Sequence, residues 1–525
     1  MQEQLINNYW EKIMYYSINF IKKNKLLASY TFLLGLVTYA VKIISFGYGM
    51  DTLKFITMQD TYLMHWIQIG RPGMYFFKKY ITSQYMNIYI ANLCFVIFLC
   101  MTSLVICSIA DVKLENGQSN NYVSERLRLF IIPSLFITTP LFIQQAYFVL
   151  QNIEFSFSML VVTFVALLVA LELNNKVEFR LLSIFGLFIA FSCYQSFPIY
   201  YIGLLIFLAF LDVYKSWRDS TQIGVVILFK NYINPFLDML IAFVGYEIFS
   251  KVMLHLFHLK ASSYLGGKIL WGKGAFNTTL SSTLISIKNT LVTGFTYSFN
   301  IALLIGLIGL VVIWVTQYVT KRKSGFAFLI LLVGLFLDAF FFNLLLGNAP
   351  VPRALVPSYC LVVVIVFFIC SLYIKKNVFL ILLEALVVLV TGKQMLLTTN
   401  LIQADQVRYN QDQMLIGRIE TQLDSLNINP NKTKLMLVGY HNEVTPLNVQ
   451  DDLVGESMFE FGDFTGNTSA MTENMVMLMN QGGYDIKAVN DEEFHKEFGR
   501  ATKMKVFPQK SSIKQHGDIV IVKLS

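Results

Sequence analysis

Charged residues are scarce in this 525-residue chain: Asp, Glu, Lys and Arg make up 14% of it, whereas 55% is hydrophobic and 15% aromatic. With a mean hydropathy of +0.56, the chain has more apolar surface than one water-soluble core can bury. Most of it is therefore predicted to lie in lipid. The net charge of +8 does not indicate nucleic-acid binding, because the Lys and Arg residues gather at the ends of apolar runs, where topology signals lie.

Cysteine is also sparse, and no CxxC pair is present. All six cysteines fall in or beside apolar runs, which predicts inert small hydrophobic residues rather than disulfides or a zinc site. They are Cys94, Cys100, Cys107, Cys193, Cys360 and Cys370. The amphipathic N-terminal segment, residues 1–25, lacks a small-residue cleavage motif and ends in a lysine cluster. This pattern predicts an uncleaved cytoplasmic start.

Apolar runs of the length that crosses about 30 Å of hydrocarbon recur along the chain. They predict about eleven transmembrane helices, at 28–48, 86–110, 128–149, 155–173, 180–194, 196–214, 235–256, 294–319, 325–346, 355–374 and 377–397. The fifth and sixth are short and could instead form one re-entrant pair. With eleven spans, the basic clusters all fall on one side of the membrane, so the positive-inside rule predicts a cytoplasmic N-terminus and an extracytoplasmic C-terminus.

The composition becomes polar after Lys393, which predicts a membrane domain over 1–397 and a small extracytoplasmic α/β domain over 398–525. The patterns favour helices at 405–426 and 469–480 and strands at 434–440, 506–508 and 518–524. The tail has no nucleophile, metal or phosphate-loop spacing. We interpret it as an acceptor-binding or interaction module.

The first candidate residues follow the first apolar run. Asp51 lies at the predicted water–lipid boundary, where partial desolvation suits a general base. Asp60 shares that site or simply faces water. His65, with Tyr62 and Trp66, offers aromatic surface for a sugar ring, and an interfacial anchor is the alternative.

Two arginines are placed to bind phosphate. Arg71 lies between Gly70 and Pro72, and its planar fork can clamp a phosphate; an ordinary headgroup contact is the alternative. Arg353 begins a late span on the same predicted outward side. The 257–292 connection adds a basic and aromatic mixture. That mixture suits an anionic lipid carrier, or equally an interfacial amphipathic segment.

Amide and carboxylate side chains collect at other outward span ends. Glu154 follows Gln151 and Asn152, which favours a hydroxyl-rich ligand over a snorkelling cap. Tyr194 and Gln195 interrupt two apolar runs on the same predicted face and could line the same cavity.

Four acids fall inside predicted spans, and they are the main argument for a transporter. They are Asp238, Glu247, Asp338 and Glu384. The chain shows no internal symmetry and no paired broken helices, so structural ion pairs, for example with Lys251 or Lys393, are the simpler interpretation.

Several of these features together resemble the bacterial GtrII-type glucosyltransferases of the GT-C membrane superfamily. One is Asp51 followed by the Gly-Arg-Pro triplet at 70–72; another is Tyr-Gln-Ser at 194–196. The others are Pro-Arg at 352–353 and the helix that carries Asp405, Arg408, Tyr409 and Asp412. The chain has the single Asp51 where relatives often have adjacent acids, so the division of labour between Asp51 and Asp60 stays open.

The resemblance implies a GT-C-like fold and an inverting transfer of a hexose, glucose by the family's name, from a polyprenyl-phosphate donor. The acceptor would be a surface glycan, such as O-antigen, cell-wall polysaccharide or a teichoic-acid-like polymer, outside the bacterial plasma membrane. Asp51 or Asp60 would be catalytic, and Arg71 and Arg353 would bind the donor phosphate. The sugar or acceptor ligands would be Glu154, Gln195, Tyr194 and His65.

No cofactor is required for this chemistry, although some members of the superfamily use a divalent metal. One rival function is a transporter or flippase of lipid-linked sugars. Another is a non-catalytic membrane scaffold for the tail domain.

Overall fold

The computed structural model describes residues 16, 18–47, 49–82, 87–115, 126–262, 264–293, 300–441, 453–459, 469–509 and 511–525. Most of the predicted amphipathic N-terminal segment lies outside these residues. The chain forms two compact units. The helical unit comprises Met1–Ile43, Leu63–Ala146 and Gln151–Thr398, and the tail unit comprises Ile44–Tyr62, Tyr147–Leu150 and Thr399–Ser525.

Helices dominate, as the composition predicts. In chain order they are α1 (Lys25–Ile44), α2 (Met50–Thr57), α3 (Gln59–Gln68), α4 (Pro72–Phe76), α5 (Ile88–Glu115), α6 (Ile131–Ile137), α7 (Leu141–Ala146), α8 (Asn152–Ala170), α9 (Val177–Cys193), α10 (Phe197–Arg218), α11 (Val225–Leu256), α12 (Tyr264–Gly267), α13 (Phe276–Lys288), α14 (Asn300–Thr320), α15 (Arg322–Ala339), α16 (Phe341–Leu346), α17 (Pro352–Tyr373) and α18 (Asn377–Ser425). Single π-helical turns follow α4 at Phe77–Ile81 and α13 at Asn289–Thr293.

Among the described residues, eight helical segments are long and apolar enough to cross a membrane, in α1, α5, α8, α10, α11, α14, α17 and α18. Eleven spans therefore remain a prediction. The third predicted span, 128–149, is wrong as a single helix, because α6 and α7 are separated at Thr138–Pro140. The residue before a proline is disfavoured in helical geometry, which explains the break there. The predicted spans at 180–194 and 196–214 are two helices, α9 and α10.

The centre of the helical unit is α17, whose most apolar stretch is wholly buried. It packs against α6, α7, α10, α14 and α15. Its C-terminal end receives Arg128, whose guanidinium donates to the carbonyls of Ser371 at 2.6 Å and Ile374 at 3.3 Å. A cation at a helix C-terminus satisfies orphan carbonyls and complements the helix dipole. Arg128 therefore stabilises the C-terminal end of α17.

The acids of the predicted spans have different surroundings. Asp238 is buried and accepts a bidentate ion pair from Arg180, with a shortest distance of 2.6 Å. The partners suggested by the sequence, Lys251 and Lys393, are therefore wrong for Asp238. Asp338 is buried, and neither of its oxygens has a hydrogen-bond partner among the described residues. Glu247 is half-buried and Glu384 is exposed. All six cysteines are free thiols.

The tail unit combines helices with a small sheet, as the sequence predicts, and the sheet has four strands rather than the three expected. Its strands are β1 (Lys434–Val438), β2 (Lys487–Ala488), β3 (Ile513–His516) and β4 (Ile519–Lys523), in the order β2-β1-β4-β3. The central pair is parallel, with Lys434 opposite Ile519, and β3 pairs antiparallel with β4. Two further helices, α19 (Ala470–Gln481) and α20 (Asp491–Ala501), pack on β1.

Local sequence signals explain α20. Asn490 caps its first turn in a reciprocal capping box with Glu493. Hydrogen bonds from the Lys434 ammonium and the Asn490 backbone hold the pKa of Glu493 below its usual value. The predicted strand at 506–508 is wrong, because these residues form a turn. The predicted helix at 405–426 is confirmed, and it is the last part of α18, continuous with the last apolar run.

Candidate functional site

Arg71 lies in the break between α3 and α4. Gly70 adopts a left-handed conformation with φ of 76°, which glycine tolerates without strain. The Gly70 carbonyl accepts hydrogen bonds from the Tyr246 hydroxyl at 2.9 Å and the Gln195 amide at 3.0 Å. Pro72 then begins α4, where its missing N–H costs nothing. The backbone around Arg71 is therefore held on both sides.

Two glutamine oxygens orient the Arg71 guanidinium. Its Nε donates to Gln195 Oε1 at 3.0 Å, and its Nη1 donates to Gln151 Oε1 at 3.2 Å. The Gln195 amide nitrogen is fixed in turn by the Ile69 carbonyl at 2.7 Å. Gln195 lies in the turn between α9 and α10, and Gln151 precedes α8. Three distant parts of the chain thus converge on one cation.

The partners of Arg71 are all neutral. No carboxylate pairs with its guanidinium in the described part of the chain. The Tyr194 ring lies against the planar guanidinium, and its centroid is 4.4 Å from the guanidinium carbon. A half-buried cation is normally paired, since burying an unpaired charge is costly. Amides and an aromatic ring hold a guanidinium without neutralising it.

Tyr194 connects this cation to the start of α17. The Tyr194 hydroxyl donates to the backbone carbonyl of Arg353 at 3.2 Å, and Arg353 lies in the first turn of α17. The N-terminal turn of a helix favours negative charge. The structure therefore brings together four residues predicted from the sequence, Arg71, Tyr194, Gln195 and Arg353, and adds Gln151. We call these five residues the arginine site.

Glu154 has a different environment. It is fully buried, and its Oε1 accepts from the Lys78 ammonium and the Thr82 hydroxyl, each at 2.8 Å. Its Oε2 has no hydrogen-bond partner among the described residues. Lys78 is itself 3% exposed and lies in the π-helical turn after α4. Arg71 bonds Gln151, and both Lys78 and Thr82 bond Glu154, so three side chains join the segment 71–82 to the start of α8.

Asp51 belongs to the tail unit, in the first turn of α2. Gly49 directly precedes that helix, and its carbonyl accepts hydrogen bonds from the amides of Thr52 and Leu53. A Cβ on Gly49 would lie 2.4 Å from the ring of Tyr147, so only glycine fits there. Tyr147 is buried. Burial raises the pKa of its hydroxyl, and the negative charges of Asp405, Glu456, Asp51 and Asp412 raise it further.

Two of the acids around Tyr147 already have donors. Asp412 accepts from the Ser457 hydroxyl at 2.6 Å and the Met458 amide at 2.8 Å, and Asp405 accepts from the Gly455 amide at 3.4 Å. No hydrogen bond or ion pair joins Asp51 to another described residue, and its side chain is half-buried. Asp51 therefore differs from Asp405 and Asp412, whose oxygens have hydrogen-bond donors.

The remaining predicted residues are on the surface. Asp60 in the tail unit and His65 in the helical unit are both exposed, on α3. Among the described residues, no group of three or more His, Cys, Asp or Glu side chains could hold a metal ion.

Comparison with known proteins identifies the family. The family model described as Glucosyl transferase GtrII matches residues 41–370. The chain belongs to the GtrII glucosyltransferase family. The match includes Asp51 and every residue of the arginine site, whereas the helical segment from Asp405 to Asp412 lies beyond it. No curated protein and no solved structure matched this GtrII family member.

Sequence reasoning missed three contributors to this GtrII protein's architecture. Gln151 was noted only as part of an amide-rich stretch, although its position before α8 marks a span end. Lys78 gave a weak signal, a basic pair directly after an apolar α4. Tyr147 gave none, because its importance arises from acids that are distant in sequence.

Proposed function

We propose that this protein transfers glucose from a polyprenyl-phosphate donor to a surface glycan on the extracytoplasmic side of the membrane. Family membership supports glucosyl transfer. The main structural support is that Gln151, Gln195 and Tyr194 hold the Arg71 guanidinium, and that no carboxylate pairs with it among the described residues. Such a group suits a phosphate, which two parallel N–H donors can bind at once.

The proposed reaction inverts the anomeric centre. The acceptor hydroxyl oxygen attacks C1 of glucose, the bond from C1 to the phosphate oxygen breaks, and polyprenyl phosphate leaves with the bonding electrons. Arg71, with Arg353 at the start of α17, stabilises the negative charge that develops on this phosphate. Tyr194 and Gln195 hold Arg71 in place and can present polar atoms to the sugar.

Asp51 is the proposed base that removes the proton from the acceptor hydroxyl. Its support is that it carries no hydrogen bond or ion pair among the described residues, unlike Asp405 and Asp412. Asp60 and His65, both exposed, keep proposed roles in acceptor binding. The leaving group is a phosphate monoester, so the scheme requires no divalent metal.

The test uses the full-length protein in lipid nanodiscs with radiolabelled glucosyl polyprenyl phosphate and surface glycan as acceptor. Wild type should transfer label to the glycan. The Asp51→Asn variant should still bind the donor but lose transfer, whereas Asp60→Asn should retain most of it. Full activity in Asp51→Asn would exclude the proposed base, and no transfer by wild type from any polyprenyl-phosphate donor would exclude the proposed donor class.

A further inference from the structure

Tyr147 is a buried residue of the tail unit, and its ring lies beside the start of α2. A Cβ added to Gly49 would lie 2.7 Å from the hydroxyl oxygen of Tyr147. The hydroxyl end of the side chain is therefore close to the backbone two residues before Asp51, the proposed base. Because 6% of Tyr147 is exposed, packing of the ring holds the side chain in place.

One face of α18 fixes the segment 455–458. Asp405, Arg408 and Asp412 recur at the spacing that places side chains on one side of a helix. Asp405 accepts from the Gly455 amide at 3.4 Å, and Arg408 Nε donates to the Gly455 carbonyl at 3.3 Å. Asp412 accepts from a hydroxyl and an amide further along the same segment. The segment 455–458 is thus bonded to α18 at both of its ends.

The Tyr147 hydroxyl faces four carboxylates, which these elements carry. They are Asp51 on α2, Asp405 and Asp412 on α18, and Glu456 in the segment 455–458. Burial and these charges hold the pKa of the hydroxyl well above its usual value, so it remains a hydrogen-bond donor at neutral pH. No hydrogen bond joins it to another described residue. A buried donor without a partner is costly, which indicates that a ligand supplies the missing oxygen.

Two observations favour a sugar over a cation at this position. Among the described residues, no three of these acids are arranged to hold a metal ion, and Asp412 already accepts two hydrogen bonds. Asp51 and Tyr147 are complementary instead, because one offers acceptor oxygens and the other offers a donor. Two neighbouring sugar hydroxyls match such a pair, since one can donate while the other accepts.

We propose that the Tyr147 hydroxyl binds the acceptor glycan, by donating a hydrogen bond to the sugar hydroxyl next to the one that Asp51 deprotonates. This role rests on the proposed function and extends it to the orientation of the glycan. It also gives the tail unit a part in substrate binding, because every residue around Tyr147 named above belongs to that unit. Loss of the bond weakens binding of the glycan and leaves binding of the donor phosphate at Arg71 unchanged.

The experiment measures steady-state glucosyl transfer by the full-length protein in nanodiscs, with unmodified surface glycan isolated from cells that lack this protein. The test variant is Tyr147→Phe, which keeps the ring beside Gly49 and removes only the hydroxyl. Its matched control is Tyr373→Phe on α17, which also removes a hydroxyl without a hydrogen-bond partner among the described residues. Tyr147→Phe should raise the KM for the glycan about tenfold and leave kcat and the KM for donor within about twofold. The control should change none of the three.

An unchanged KM for the glycan in Tyr147→Phe would overturn this role while leaving the proposed function intact. A fall in kcat at unchanged KM would overturn it as well, because the hydroxyl would then act in the chemical step rather than in binding.

A second measurement needs no turnover. Calorimetric titration of the same glycan should show about tenfold weaker binding to Asp51→Asn/Tyr147→Phe than to Asp51→Asn. Equal affinities would contradict the role of Tyr147. If wild type transferred no glucose although the titration showed the expected loss of affinity, the proposed function would fail and the binding role of Tyr147 would stand.

Discussion

The Arg71 guanidinium carbon lies 4.4 Å from the centroid of the Tyr194 ring, and the hydroxyl of that tyrosine donates to the Arg353 carbonyl. One aromatic side chain thus connects the Arg71 guanidinium to the backbone of Arg353, 282 residues away in sequence. An aromatic face holds a guanidinium without neutralising it. The relationship therefore favours anion binding over a purely structural role for Arg71.

Replacing Arg71 by Gln should lower kcat/KM for glucosyl transfer by about 100-fold, the usual effect of removing one preorganised donor to a developing negative charge. Arg71→Lys should recover only part of it, because an ammonium cannot bond two glutamines and a phosphate in one plane. The matched control is Arg322→Gln, which removes an exposed arginine stacked on Tyr318. Radiolabel transfer at varied donor concentration measures the effect, and wild-type kinetics in Arg71→Gln would contradict this role.

Converting Gln195 to Glu should raise the KM for donor, and it should also lower the stability of the protein, because an oxygen would replace the amide nitrogen that donates to the Ile69 and Gly70 carbonyls. The new carboxylate would occupy the position of an amide oxygen 3.0 Å from Arg71 Nε and neutralise the cation that phosphate requires. Gln151→Glu should act in the same direction, through Nη1. Donor titration with thermal unfolding as the folding control tests both variants. An unchanged donor KM in both would show that Arg71 does not bind the phosphate.

The Gly70→Ala substitution should reduce activity without removing any side chain of the arginine site. A Cβ at this left-handed position would lie 2.9 Å from the Gln195 amide nitrogen, and the left-handed conformation itself costs about 1–2 kcal/mol for a non-glycine residue. We expect Gln195, and with it Arg71, to be displaced. Gly417→Ala on α18 is the control, because nothing lies within 4 Å of its Cβ. Equal activities of the two variants would argue against this coupling.

Glu154 offers a test between structure and sugar binding. Breaking the buried pair with Lys78→Met should destabilise the protein by about 3–5 kcal/mol, since it leaves Glu154 without its cation. The double variant Lys78→Met/Glu154→Leu should regain much of that stability, because the buried charge is gone. Thermal unfolding measures the recovery. Glucosyl transfer by the folded double variant would identify Glu154 as structural, whereas a stable but inactive double variant would favour contact with the sugar.

The parts of the site that the sequence predicts are those with local signals. Gly70 and Pro72 mark a helix break, and Tyr194 and Gln195 interrupt an apolar run, so Arg71 and Gln195 stand out before any fold is known. Which residues pair depends on tertiary packing, and no local rule predicts Lys78 opposite Glu154 or Arg180 opposite Asp238.

The same limit applies to regular structure. Helices follow from long apolar runs, so their positions are largely predicted. The strand expected at 506–508 failed because β-propensity reflects neighbouring strands more than the backbone itself. The segment at 405–426 has its own amphipathic pattern, so the sequence does not indicate that it continues the apolar first part of α18.

The bonds from Arg128 to the end of α17, and from Arg180 to Asp238, change how membrane orientation can be tested. Both arginines count as positive-inside charges in the sequence, yet each is committed to an internal bond. Reversing the charge of Arg128 would disrupt the end of α17, and reversing that of Arg180 would leave the buried Asp238 without its cation. The resulting loss of expression would then be mistaken for inverted insertion. A charge-reversal assay should instead change Lys22 and Lys25, which are exposed at the start of α1.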